Sequence, residues 1–225
     1  VLLFSVSRSG WVAAIVATLV LFLNSRKKGY FFIFILITIA LLPFVFPSVA
    51  RDRIDFTFNQ LTQNTELYRQ FELFGVRLDT SSSARIFSAL YVFQRFLEHP
   101  FIGFGITGFP FIDGQFIRTL AELGAFGTAA FLWILFSVHK TIRMVMIFNL
   151  SPRINGLALG YYAGFWALIA HSFTANTFII VRIAEPFWCL AGIMVVTLSK
   201  QYEKMNKETV DELPAPRPIL LQGRY

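Results

Sequence analysis

Two stretches of this chain, Phe31–Val49 and Phe116–Val138, approach the ~20 residues that an α-helix needs to cross a bilayer. Such runs leave few options. Lipid offers no hydrogen bonds to the backbone, so each run must satisfy its own peptide groups as a helix or join a closed barrel. The runs are continuous rather than alternating, which selects helices. Composition agrees: 56% of residues are hydrophobic and only 15% are charged, against roughly 25% charged in a soluble domain. The expected fold is an all-α polytopic transmembrane bundle. Its spans are expected at about 4–23, 31–49, 116–138, 154–173 and 184–198, with a long, partly helical external loop at 50–112. The membrane domain covers 1–199, and 200–225 reads as a disordered cytoplasmic tail, mixing charges with Pro214, Pro216 and Pro218.

The net charge of +7 does not point to nucleic acid, because the basic residues sit beside and between the apolar runs. Arg26, Lys27 and Lys28 occupy one short connection; His139, Lys140, Arg143 and Arg153 fill another. Short basic loops stay in the cytoplasm, which places the 50–112 loop, Asp113 and the 171–185 turn outside. Residues 50–112 carry arginine as their only basic type, at 51, 53, 69, 77, 85 and 95, and a loop of that length is largely exempt from the charge rule. The single Cys189 lies in an apolar run, so no internal disulfide is expected and the thiol reads as a packing residue. The chain opens on Val1 in an apolar stretch without a basic n-region, so further spans, rather than a signal peptide, are expected to precede it.

Residues 81–124 are the most informative stretch. Three serines at 81–83 offer an N-cap and Pro100 a stop, predicting a helix over 83–98. Ile86, Leu90, Phe93 and Leu97 form one apolar stripe at helical spacing, while Arg85, Ser88, Arg95 and His99 fall on another face. That basic face suits a phosphate, to which guanidinium makes paired, charge-assisted hydrogen bonds, and equally suits a solvated face of an amphipathic helix. Residues 56–75 read as weakly helical and packed on the membrane surface. Gly103, Gly105 and Gly108 spell GxGxxG without the strand and helix a dinucleotide site requires. They predict instead a bend whose backbone comes close to a ligand or a neighbouring helix. Arg118 and Glu122, four apart, are placed to pair with each other.

Arg8, in Ser7-Arg8-Ser9-Gly10 at the head of the first span, is a functional candidate on cost alone, or an arginine snorkelling to the headgroups. His171, Asn176, Arg182 and Glu185 gather around the last external turn. His99, His139 and His171 share no ligand spacing, so neither a metal nor another cofactor is expected. His99 is expected to set the turn before Pro100 or to contact ligand.

Taken in order, Ser7-Arg8-Ser9-Gly10, Ser83-Ala84-Arg85, His99 through Gly105, and Asp113-Gly114-Gln115 with Leu120, Glu122 and Gly124 resemble the O-antigen ligase/polymerase superfamily of bacterial multi-span glycosyltransferases. The resemblance covers roughly residues 5–195. It implies metal-independent transfer of an undecaprenyl-diphosphate-linked glycan, in contact with membrane lipid, at the outer face of the inner membrane. Other polysaccharide-assembly proteins are implied as partners, and nucleic acid is not. Arg8 and Arg85 match the family's arginines, which neutralise the departing diphosphate; Arg95 is a further candidate for that contact. Asp113 falls where the ligase branch carries a histidine, and an acidic residue there looks more like the polymerase branch.

The residues fit that picture on chemical grounds. Fixed arginines stabilise charge that develops on a leaving diphosphate. A carboxylate at Asp113 can take a proton from a sugar hydroxyl, or it can N-cap the third span. His171 and Arg182 are candidates for the same cavity. The expected function is an O-antigen or exopolysaccharide polymerase, with ligation of O-antigen to the lipid A core as the alternative. From another class, a transporter or flippase of lipid-linked oligosaccharide would place ionisable groups at the midplane and show internal repeats; neither is visible here.

Overall fold

A computed structural model describes residues 7–25, 80–211 and, between them, 28–29, 32–33, 35–37, 40, 72–73 and 76–77. It is an all-α membrane protein whose described β-structure is one small hairpin. The elements are α1 (Arg8–Asn24), β1 (Glu72–Leu73), β2 (Val76–Arg77), α2 (Thr80–Phe96), α3 (Gln115–Phe148), α4 (Pro152–Ser172), a 3₁₀ turn (Thr177–Ile179) and α5 (Val181–Asp211). Helix α3 and the Val181–Glu208 part of α5 are long and apolar enough to cross a membrane; α1 is apolar but shorter. The described residues within 28–40 are helical.

Helix α1 packs along α4, α3 packs against both α4 and α5, and α2 leans on α3. The main core lies between α3, α4 and α5, where Leu135, Ile142, Val145, Tyr161, Phe165, Phe178, Phe187 and Met194 meet. Inside it the Tyr161 hydroxyl donates to the Phe187 carbonyl at 3.0 Å, which settles a phenol that burial would otherwise penalise. A second, smaller core of Val92, Phe109, Ile112 and Ala121 fixes α2 and the following bend to the head of α3.

Several sequence expectations change. The third helix does not stop at 138: it runs to Phe148, carrying His139, Lys140 and Arg143 inside it. Ile142 and Val145 are wholly buried in the core, so the periodic apolar face continues through the charged residues, and the helix ends only where Asn149 turns left-handed at φ 50°. Residues 200–211, expected as tail, extend α5, helped by a Lys204–Glu208 contact at i,i+4 spacing; residues 212–225 lie outside the described ones. Helix α2 starts at Thr80, so the three serines form its first turn rather than its cap. Glu72 and Leu73, in the stretch expected to be helical, are extended because they pair antiparallel with Arg77 and Val76; residues 56–71 of that stretch are outside the described residues. Cys189 is exposed rather than packed, since Phe187 and Ala191 take the inward side of α5.

The GxGxxG bend is a backbone interlock. Helix α3 is broken at Gly124 (φ 65°, ψ −164°), and the opened turn receives residues 100–105. The N–H groups of Phe104 and Gly105 donate to the carbonyls of Ala121 and Glu122, both at 2.9 Å. Those of Ala125 and Phe126 donate to Pro100 and Phe101, at 2.9 and 3.2 Å. Two carbonyls and two N–H groups at the break are thereby paired, which matters in a membrane protein because an unpaired one costs several kcal/mol in hydrocarbon. Only glycines permit this approach. A Cβ on Gly103 (φ 74°) would lie 2.5 Å from the Gly124 nitrogen, and one on Gly124 would lie 2.5 Å from both the Gly103 nitrogen and the Phe101 carbonyl oxygen.

This geometry ranks three substitutions. Gly105 also has positive φ, but nothing lies within 4 Å of its Cβ position. Gly105→Ala should therefore lose only the ~1–2 kcal/mol of a left-handed side chain, a fall of several degrees in melting temperature in detergent at about 2–4 °C per kcal/mol. Gly103→Ala and Gly124→Ala should fall well below Gly105→Ala in the same thermal scan. Equal losses for all three would refute the interlock.

Candidate functional site

One end of the bundle gathers the N-termini of α1, α2 and α3 and the C-terminus of α4. Between them lies a cavity of about 330 Å³ lined by Ser7, Arg8, Ser9 and Val12 of α1, Ser81, Ser82 and Arg85 of α2, and Ala170 and Thr174 at the end of α4. Two helix starts thus contribute their first turns, and helix N-termini carry partial positive charge. The Ser7 hydroxyl caps α1 by accepting from Gly10 N–H at 3.3 Å and also meets the Ser9 hydroxyl at 3.0 Å. The lining therefore joins two arginines to five hydroxyl groups, a set that matches the many acceptor oxygens of a phosphate.

Arg85 and Asp113 meet beside this cavity. The Arg85 Nε lies 4.0 Å from Asp113 Oδ2, with 34% and 49% of the two side chains exposed. At that distance the pair is an electrostatic contact, too long for a hydrogen bond. The Nε is itself buried and, among the described residues, has no hydrogen-bond partner. A buried donor left without a partner costs about 1–3 kcal/mol, which makes this nitrogen a candidate donor to a ligand's acceptor.

Asp113 does not N-cap α3; that position belongs to Gly114, with no side-chain cap bond. The residues around it are instead latched to the turn between α4 and α5. Asn176 Nδ2 donates to the Ile112 carbonyl at 2.8 Å, and Gln115 N–H donates to the Ala175 carbonyl at 3.2 Å. The buried Gln115 side chain accepts from Phe178 N–H at 3.1 Å and donates to the Thr119 hydroxyl at 3.2 Å. With Ile112 and Gln115 fixed from behind, the Asp113 carboxylate is left toward Arg85. Sequence reasoning grouped Gln115 with Asp113 and noted Asn176 in its turn, but it gave neither a role. The available signal was an uncharged amide at the edge of an apolar run, where burial demands partners.

The structure brings together Arg8, Arg85 and Asp113 and leaves the other candidates elsewhere. Arg95 is committed to Glu98, donating from Nε and a terminal nitrogen at 2.8–3.2 Å, and to the Tyr91 hydroxyl at 3.1 Å, with its guanidinium over the Phe104 ring. The hydrogen bond to Glu98 raises the arginine above its ordinary range and holds the Glu98 carboxyl below its own. The His99 backbone carbonyl accepts from Gly103 N–H at 3.0 Å, and its ring sits edge-on to Phe104; it is not on the cavity wall. His171 lies next to Ala170 in sequence but points its Nδ1 to the Thr177 hydroxyl at 2.8 Å. Arg182 is exposed at the start of α5 and does not line the cavity. Arg118 and Glu122 form the expected pair at 2.9 Å.

The latch makes a direct prediction. Gln115→Leu keeps bulk but orphans the buried Phe178 N–H, and should cost about 1–3 kcal/mol, read as a lowered unfolding temperature in detergent. Ser88→Ala, whose hydroxyl bonds only within its own exposed turn, should change that temperature little; a Gln115→Leu protein as stable as Ser88→Ala would show the latch to be unimportant.

Neither a curated protein nor a solved structure matches the chain. A family model described as O-antigen ligase matches residues 1–132, more than half of the chain and the part that holds Arg8, Arg85, Asp113 and Gly124. The family implies glycosyl transfer in a membrane setting with lipid-linked glycans as substrates, and the chain belongs to this O-antigen ligase family.

Proposed function

We propose that the protein is a polysaccharide polymerase of this family, extending an O-antigen or exopolysaccharide from an undecaprenyl-diphosphate-linked donor at the outer face of the bacterial inner membrane. The observation that carries the reading is the convergence of Arg8 and Arg85, far apart in sequence, on one hydroxyl-rich cavity with Asp113 at 4.0 Å from Arg85. In the transfer, an acceptor sugar hydroxyl attacks the anomeric carbon of the donor, and the bond from that carbon to the diphosphate oxygen breaks. The hydroxyl proton passes to the Asp113 carboxylate, and the electron pair leaves with the diphosphate. Arg8 and Arg85 are fixed charges where negative charge grows, and charge that is already in place needs no reorganisation. Arg85 adjoins both the base and the leaving group, so its position couples the two events.

The orientation is supported by charge. Lys28, Lys140, Arg143 and Arg153 belong to the opposite end of the bundle, where α1 and α3 end and α4 begins. Basic residues mark the cytoplasmic side, which turns the cavity outward. Ligation of O-antigen to the lipid A core is the second reading, favoured by the description of the matched family. The acidic residue at 113 supports polymerisation.

The full-length gene, expressed in a strain lacking its own copy, tests both. Asp113→Asn should lower polymer output by about 10²–10⁴-fold, the usual weight of a general base, and Arg85→Ala and Arg8→Ala should abolish long chains. Gels of surface polysaccharide and lipid-linked intermediates should show single repeat units persisting. Full-length chains accumulating on the lipid carrier would identify a ligase. Intermediates held on the cytoplasmic side would identify a transporter, and unchanged output would remove the three residues from catalysis.

A further inference from the structure

Among the described residues, nothing covers the apolar stripe of α2 from Leu90 onward. Val92 packs inward against α3, and Arg95 and Glu98 pair with each other on a different side of the helix. Leu90, Phe93 and Leu97 are 45%, 54% and 80% exposed, on the third side. The bend that follows adds Phe101, Ile102 and Ile106 at 60%, 78% and 76% exposure. From Pro100 to Ile112 the chain has no charged residue. A surface this apolar is unusual on a loop facing water.

We propose that α2 and the 101–106 bend form an interfacial anchor, lying in the acyl boundary of the leaflet on the cavity's side. Continuity with the spanning surface selects lipid as the occupant. The Phe101 ring stacks on Phe126 at 5.4 Å, and Phe126, 68% exposed, projects from α3, a helix long and apolar enough to cross a membrane. The bend therefore begins against a lipid-facing side chain. Part of the bend's backbone needs no water: the interlock pairs the N–H groups of Phe104 and Gly105 at 2.9 Å, and local turns pair those of Gly103 and Gly108 at 3.0 Å, which suits the boundary of the leaflet rather than its centre. A helix with an apolar face, a charged face and modest length is the usual interfacial element. The anchor would hold Arg85, on the same helix, at headgroup depth, where lipid-borne phosphate resides. The inference requires only that α3 spans the membrane and is independent of the transfer chemistry.

The test uses the full chain in a Cys189→Ser background, reconstituted in vesicles of phosphatidylethanolamine and phosphatidylglycerol. Single nitroxide labels are placed through Phe93→Cys, Ile102→Cys, Ile106→Cys and, on the polar side of α2, Gln94→Cys. Collision rates with oxygen, which concentrates in lipid, and with a nickel chelate, which stays in water, are compared. The expected oxygen-to-nickel ratio is several-fold higher at 93, 102 and 106 than at 94. A ratio at 102 and 106 equal to that at 94 would place the bend in water and overturn the proposal. Low collision with both reagents would mean a protein cover and would overturn it as well. All four positions are exposed, so the labels probe the surface without entering a core.

Discussion

The site depends on a helix being broken in the right place. Without the left-handed turn at Gly124, α3 would close its own hydrogen bonds through Ala121 to Phe126, and residues 100–105 would have nothing to bind. The bend would then lose its register against α3, and with it the small core of Val92, Phe109, Ile112 and Ala121 that holds α2. Arg85 rides on α2 and Asp113 precedes the head of α3, so their 4.0 Å separation depends on this junction. Two glycines suffice because the contact is backbone to backbone. A side chain could not do the work: it would have to satisfy two donors and two acceptors at once in a low-dielectric setting.

The second support comes from the opposite direction. The turn between α4 and α5 grips Ile112 and Gln115 through Asn176, Ala175 and Phe178, while the interlock grips residues 121–126. The first turns of α3 are thus clamped at both ends, and the residue between the clamp and α2 is Asp113. This arrangement separates rigidity from reactivity. Neutral amides carry the fixing hydrogen bonds, and the carboxylate and guanidinium are left incompletely paired. Arg118 and Glu122, one turn deeper, illustrate the alternative: at 2.9 Å they satisfy each other and have no spare capacity for a ligand.

Much of the helical frame was legible because apolar runs near span length have one economical solution in lipid. The bend at 103–108 was legible as a close backbone approach, because glycine without a strand–helix context rules out the dinucleotide reading. Its partner was not legible: Gly124 sits inside a helix of 34 residues whose periodicity runs on through the break. The end of α3 was misread because Lys140 and Arg143 looked like a loop, although Ile142 and Val145 kept the buried face going. Within the site, Arg8 and Arg85 each carried a sequence signal, but their convergence on one cavity is a property of packing alone. Arg95 carried the same signal, but the structure pairs it with Glu98 and Tyr91 away from the cavity. Glu98, three residues on, was the sign that its charge was already answered.

That contrast bears on how a free-standing arginine differs from a structural one. Arg95 makes short bonds to a carboxylate and a phenol and lies over an aromatic ring; an arriving anion would have to displace all three. Among the described residues, Arg85 would give up only its 4.0 Å contact with Asp113. Its buried Nε is already desolvated, so part of the cost of gripping an anion is met by the fold before the anion arrives. The 4.0 Å contact with Asp113 also limits how far the arginine's charge goes unanswered in the resting protein. In the transfer proposed above, an incoming diphosphate would take over that balance and leave the carboxylate less tightly held, so that charge would shift from the pair toward the leaving group as the acceptor hydroxyl comes to need a base. A pair held at contact distance without a hydrogen bond suits that exchange better than a tight bidentate bridge, whose rupture would add to the barrier.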